Sequence, residues 1–172
     1  GTRKATARKA MSELDIDVSI SEPEWTTALG NVEELCRVAV KACPHPDAGP
    51  GEVSILLSDD EQVRQLNRDY RHQDKATNVL SFANSEDTES LEFAPRLLGD
   101  IVIAYGVTSV EAENEGKTLA DHLTHLVIHG MLHLLGYDHQ DDAEAGDMEA
   151  LEVSTLAGLG IGNPYSEQAD LK

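Results

Sequence analysis

The sequence predicts an α+β domain, a mixed sheet of about four strands covered by helices. Three observations lead there. Four short stretches carry strand patterns, several longer ones carry apolar residues at helical spacing, and the strands come early in the chain while the helices come late. The 172 residues, 40% of them hydrophobic, suit one domain with a single core and are too few to suggest two.

Taken in order, the first ten residues, GTRKATARKA, hold four basic side chains, no acid and no apolar period. They are expected to be an expression remnant or a disordered extension, with the domain running over 11–160 and a C-terminal tail over 161–172. LDIDVSI, Leu14 to Ile20, alternates apolar and polar residues as a half-buried strand does. Pro23 suits a helix start. Trp25, Leu29, Val32 and Cys36 then mark one face of a single helix that should end before Pro44. Residues 43–51, CPHPDAGPG, read as loop, and Glu52 to Leu57 as a buried strand rich in branched side chains. Ser58 and Glu61 have the spacing of a capping box for the next helix, whose apolar stripe is Val63, Leu66 and Tyr70. TNVLSFA (Thr77 to Ala83) and LGDIVIAY (Leu98 to Tyr105) are the remaining strands, separated by an acidic, polar surface loop over 84–96. A short helix ends near Gly116. Thr118 with Asp121 caps a long, largely buried helix, and an acidic helix over 141–159 turns Met148, Leu151 and Leu156 inward.

The charge is strongly acidic, −19 overall and −23 once the four basic residues of the first ten are set aside. Such a surface argues against a broad, nonspecific grip on nucleic acid, which rests on many cation–phosphate contacts. One local exception stands out. Arg64, Arg68, Arg71 and Lys75 gather four of the nine basic residues after Met11 within twelve positions. They form either a solvated face paired with acids such as Asp69 and Asp74, or a local nucleic-acid contact. No apolar run approaches the roughly 20 residues of a membrane span and no signal peptide is evident, so a cytoplasmic protein without a membrane partner is expected. Cys36 and Cys43 belong to no CxxC pair and are expected to be reduced, ordinary thiols.

The most informative stretch is HGMLHLLGYDH, His129 to His139. His129 and His133 are four apart, which sets both imidazoles on one helix face, one turn above the other. His139 would be rotated by about 240° on a continued helix, so the chain must turn first. Gly136 can supply that turn in a left-handed conformation. Three histidines with a fourth position left for water describe a catalytic rather than a closed zinc site. His122 and His125 share the same helix face and read as polar groups at the surface or at the mouth of a cleft. The zinc-protease helix is the nearest generic pattern, but its general-base glutamate would stand where this chain has Gly130.

HGMLHLLGYDH, together with YRHQDKATNVLSF (Tyr70 to Phe82), LGDIVIA (Leu98 to Ala104) and MEALE (Met148 to Glu152), closely resembles the bacterial YbeY family of endoribonucleases, or rRNA maturation factors. The similarity runs in order from about Asp15 to Leu159. It implies a zincin-related metal-hydrolase fold and a zinc-dependent, single-strand-specific endoribonuclease in 16S rRNA 3′-end maturation and ribosome quality control. One zinc ion per chain would be held by His129, His133 and His139. Arg71 would match the family's functional arginine, acting with His129 in catalysis; the charge cluster makes Arg64, Arg68 and Lys75 candidate RNA contacts beside it. The implied partners are single-stranded rRNA and the small ribosomal subunit through one of its proteins. Two other classes stay open: a metalloprotease or other metal-dependent hydrolase, and a noncatalytic ribosome assembly factor with a structural metal.

Overall fold

The computed structural model describes residues 14–44, 51–83, 96–137 and 142–165. The readings of 1–10, of the 84–96 loop except its last residue, of most of the 43–51 loop, of the tail beyond 165 and of His139 lie outside these residues.

Four strands, β1 (Leu14–Ile20), β2 (Gly51–Ser58), β3 (Val79–Ala83) and β4 (Arg96–Ala104), form one mixed sheet in the order β1-β2-β4-β3. The β1–β2 and β2–β4 pairs are parallel and β3 is antiparallel to β4. This is the predicted α+β class. Between the parallel strands run helices, as such crossovers require: α1 (Glu24–Ala28) and α2 (Val32–Ala42), then α3 (Asp60–Arg71). After β4 come α4 (Tyr105–Asn114), α5 (Leu119–Leu134) and α6 (Asp142–Gly158).

Strand alternation divides the apolar residues between the two faces. Ile55, Leu57, Ile101 and Ile103 join Trp25, Cys36, Val40, Leu123, Val127, Met131, Met148 and Leu156 in the main core. Leu80, Val102 and Ala104 face the other way, where Val63 of α3 covers them. The long histidine-bearing helix is thus seated on the sheet by its apolar side, leaving its histidine side to form a site.

Three local expectations are corrected. The single helix from Pro23 is two, because Leu29 turns extended and Gly30, costly inside a helix, precedes Asn31 at the start of α2. Trp25, Val32 and Cys36 are buried regardless, and the Trp25 indole donates to the Ser58 carbonyl at 3.0 Å. Helix α3 is capped one residue later than predicted. Ser58 still belongs to β2, and it is Asp59 whose carboxylate accepts from the Gln62 amide at 2.8 Å. Tyr70 is not part of a buried stripe: it is 68% exposed and meets Phe82 edge-on at 5.6 Å between ring centroids.

Both cysteines are buried and free. Burial pushes each thiol up to about 12, with Glu152 adding to the rise at Cys43. The thiolate is the reactive form, so at pH 8 iodoacetamide should leave Cys36 and Cys43 of the folded protein unmodified and alkylate both in urea. Alkylation of the native protein at the rate of a free thiol would contradict this burial.

Candidate metal centre

Helix α5 starts where expected, with the Thr118 hydroxyl accepting from the Asp121 amide at 3.1 Å. It ends as the glycine suggests. Gly136 has φ +107°, its amide donates to the His133 carbonyl at 3.0 Å, and Tyr137 donates back to Leu132 at 3.0 Å. These bonds satisfy the last helical carbonyls and turn the chain off the helix axis.

Along the helix, His122, His125, His129 and His133 form one ladder. Successive ring centroids are 6.2, 6.4 and 4.7 Å apart. The tightest step joins His129 and His133, two of the three predicted ligands. His122 is not at the surface: it is 4% exposed, and its Nε2 donates to Glu111 of α4 at 2.9 Å. Glu111 also accepts from Asn78 at 3.0 Å, so this end of the ladder is tied to α4 and to the segment entering β3.

The two middle rungs are tied to α6 by a residue that the sequence pattern did not single out. Glu152 is fully buried, and its carboxylate accepts from His125 Nε2 at 3.0 Å, from His129 Nδ1 at 2.5 Å and from the Tyr165 hydroxyl. Burial alone would raise this carboxyl, but the bonds from His125, His129 and Tyr165 outweigh it and hold the group well below the usual carboxylate range. Burial and the bond to Glu152 push the Tyr165 phenol well above its ordinary range. A signal for Glu152 was present: it lies four residues from both Met148 and Leu156, on the inward stripe of α6, where a carboxylate needs partners. Tyr165, inside the predicted tail, follows a partly buried Ile161 back onto the domain.

His129 Nδ1 thus faces a buried carboxylate oxygen at 2.5 Å. Two imidazoles on adjacent turns, one backed by a buried carboxylate, fit a divalent ion such as zinc. Among the described residues no three His, Cys, Asp or Glu side chains assemble as a full ligand set, and the third predicted ligand, His139, is outside them.

Arg71 closes α3 and donates to the Ser81 carbonyl on edge strand β3, with its guanidinium carbon 5.2 Å from the centre of the Phe82 ring. The Ser81 hydroxyl in turn donates to the Gly130 carbonyl at 3.2 Å. A single β3 residue therefore joins the arginine to the helix turn between His129 and His133. The other basic residues sit differently. Arg64 pairs with Glu61 at 2.8 Å and with Asp74, and Arg68 with Asp69 at 3.1 Å. The Arg64 bond, followed by Gln65, pulls the Glu61 carboxyl down to about 2. Lys75 is exposed, and its carbonyl accepts from Asn67 at 2.9 Å.

Gly130 explains why the protease glutamate has no counterpart. A Cβ there would stand 3.0 Å from both Ile101 Cγ2 and Ser81 Oγ, so the position faces the sheet and has no room for a long acid.

The family profile for Endoribonuclease YbeY matches residues 12–160. A protein of that name from Paramagnetospirillum magneticum is 51% identical over 161 residues, covering 90% of this chain and 98% of its own. Its namesake in Sphingopyxis alaskensis is 52% identical over 173 residues, covering 90% and 99%. Among solved structures, that of TM1509 from Thermotoga maritima superposes with a TM-score of 0.54 at 25% identity, covering 90% of this chain and 92% of that one. The family profile and these relatives agree with the sequence motifs, and the chain belongs to the YbeY family of endoribonucleases.

Proposed function

We propose that this chain is a zinc-dependent, single-strand-specific endoribonuclease of the cytoplasm, acting in 16S rRNA 3′-end maturation and ribosome quality control. The observation that carries the reading is the Ser81 link, which ties the Arg71 guanidinium through Ser81 to the Gly130 carbonyl in the turn between His129 and His133, and so supports a phosphate-directed role for the arginine. His129, His133 and His139 would hold the zinc ion, which would supply Lewis acidity and lower the pKa of water at the site toward neutral.

The chain's own groups do the rest. Arg71 is an exposed guanidinium anchored at one nitrogen by the Ser81 carbonyl and braced by Phe82. It keeps further N–H donors to offset charge developing on a phosphate, in a planar fork that lysine cannot copy. The net charge of −19 disfavours unaided RNA binding, which supports recruitment through a protein of the small ribosomal subunit. Among the described residues no helix is long and apolar enough to cross a membrane, in keeping with that setting.

The test compares cleavage of a single-stranded rRNA fragment by metal-free and zinc-restored protein. Cleavage should require zinc; equal cleavage without metal refutes the zinc dependence. End-group analysis separates attack by water from attack by the neighbouring 2′-OH, which leaves a cyclic phosphate. Arg71→Ala should lower kcat by about a hundred- to a thousandfold with zinc affinity unchanged, the usual cost of losing one transition-state donor. Normal turnover in that variant removes the arginine from the mechanism.

A further inference from the structure

Glu152 makes more bonds to the histidine ladder than a core-filling residue needs. It comes from a different helix, is fully buried, and spans two consecutive rungs, one oxygen serving His125 and Tyr165 and the other His129. An ionised carboxylate only accepts, so every group facing it must donate. That constraint falls on His129 Nδ1 and dictates the tautomer of the ring. We propose that Glu152 is the positioning residue of the metal centre, holding His129 with Nδ1–H directed inward so that Nε2 is the nitrogen offered to the ion. The inference rests on His129 being a metal ligand.

The geometry also explains why His125, in line with the ligands, serves a different purpose. Its Nε2–H is spent on the same carboxylate, and its Nδ1 is buried without a hydrogen-bond partner. His125 and Tyr165 therefore hold the Glu152 carboxylate in place, and Glu152 passes that order on to His129. Carboxylates behind metal-bound histidines typically account for about ten- to a hundredfold in metal affinity.

The experiment measures zinc affinity by competition with a chromophoric chelator for the wild-type protein, Glu152→Leu and His133→Ala, with circular dichroism confirming that each is folded. The leucine variant removes both acceptor oxygens without adding a donor. It should bind zinc about ten- to a hundredfold more weakly than wild type. If His133→Ala binds zinc like wild type, the metal reading itself fails. If His133→Ala loses zinc while a folded Glu152→Leu keeps wild-type affinity, the role of Glu152 alone is overturned. A second measurement needs no variant. In nitrogen-15 imidazole spectra of the metal-free wild-type protein, the His129 proton should reside on Nδ1, a signature that a purely space-filling glutamate would not impose. A proton on Nε2 overturns the proposal even if Glu152→Leu fails to fold.

Discussion

His133→Ala should abolish zinc binding and lower RNA cleavage at least about a thousandfold, equivalent to roughly 4 kcal/mol of transition-state stabilisation. His133 is half-buried one turn from His129, with ring centroids 4.7 Å apart, so its loss breaks the pair of proposed ligands that α5 supplies. The fold should survive. Alanine is the better helix former by about half a kcal/mol, which offsets part of the lost contact, and the metal-free Tm should move by no more than about 4 °C. Zinc added to the wild-type protein should raise its Tm, because a ligand that binds only the folded state stabilises it. The same zinc should leave the Tm of the variant unmoved. Retained cleavage by a variant that no longer shows this zinc-induced shift would separate catalysis from the metal and sink the zinc mechanism.

Gly99→Ala should be the most damaging small substitution, costing about 4 kcal/mol through combined backbone strain and overpacking. Gly99 has φ +144° at the irregularity where the β2–β4 register steps from Leu97 to Gly99. An added Cβ would lie 2.8 Å from Leu134 Cδ2 and closer still to the Phe82 carbonyl oxygen. The carbonyl belongs to the neighbouring strand and cannot rotate away, so β3 and β4 must separate. For a domain of this size the loss corresponds to a fall in Tm of roughly 8–16 °C. Gly136→Ala is the control. Its φ is also positive, +107°, but among the described residues no atom beyond its chain neighbours lies within 4 Å of the added carbon, so it should cost only the left-handed penalty of about 1–2 kcal/mol. Equal losses in the two variants would show that strain, not the close approach to β3, governs Gly99.

Gly99 also connects stability to the site. Leu134 is the last residue of α5 and rests against the Gly99–Phe82 crossing, while Gly130, one turn earlier, rests on Ser81 and Ile101. Two glycines at two depths thus let the histidine helix lie close against the β3–β4 edge. Forcing that edge apart should disturb the Ser81 link to Arg71 as well as the fold.

Local features were legible because local chemistry decides them. The spacing of His129 and His133, the Thr118 cap and the left-handed Gly136 each follow from helix periodicity or from the conformational freedom of one residue. The strands followed from alternation, and the order of elements from their succession. Where a pattern was silent about continuity it misled: Trp25, Val32 and Cys36 do share the core, yet α1 and α2 are separate helices broken around Gly30.

By itself the sequence determined the fold class, the histidine pair with its turn, and the family. Only the tertiary structure decided that Glu152 stands behind His129, that His122 is buried against Glu111, that Tyr165 closes over the same carboxylate, and that Ser81 joins Arg71 to the histidine helix. Those contacts bridge separate segments, from 10 to 49 residues apart in the chain. A hydrogen bond across such a distance leaves no period in the sequence; it exists only once the sheet and helices have packed and a buried charge must find its donors.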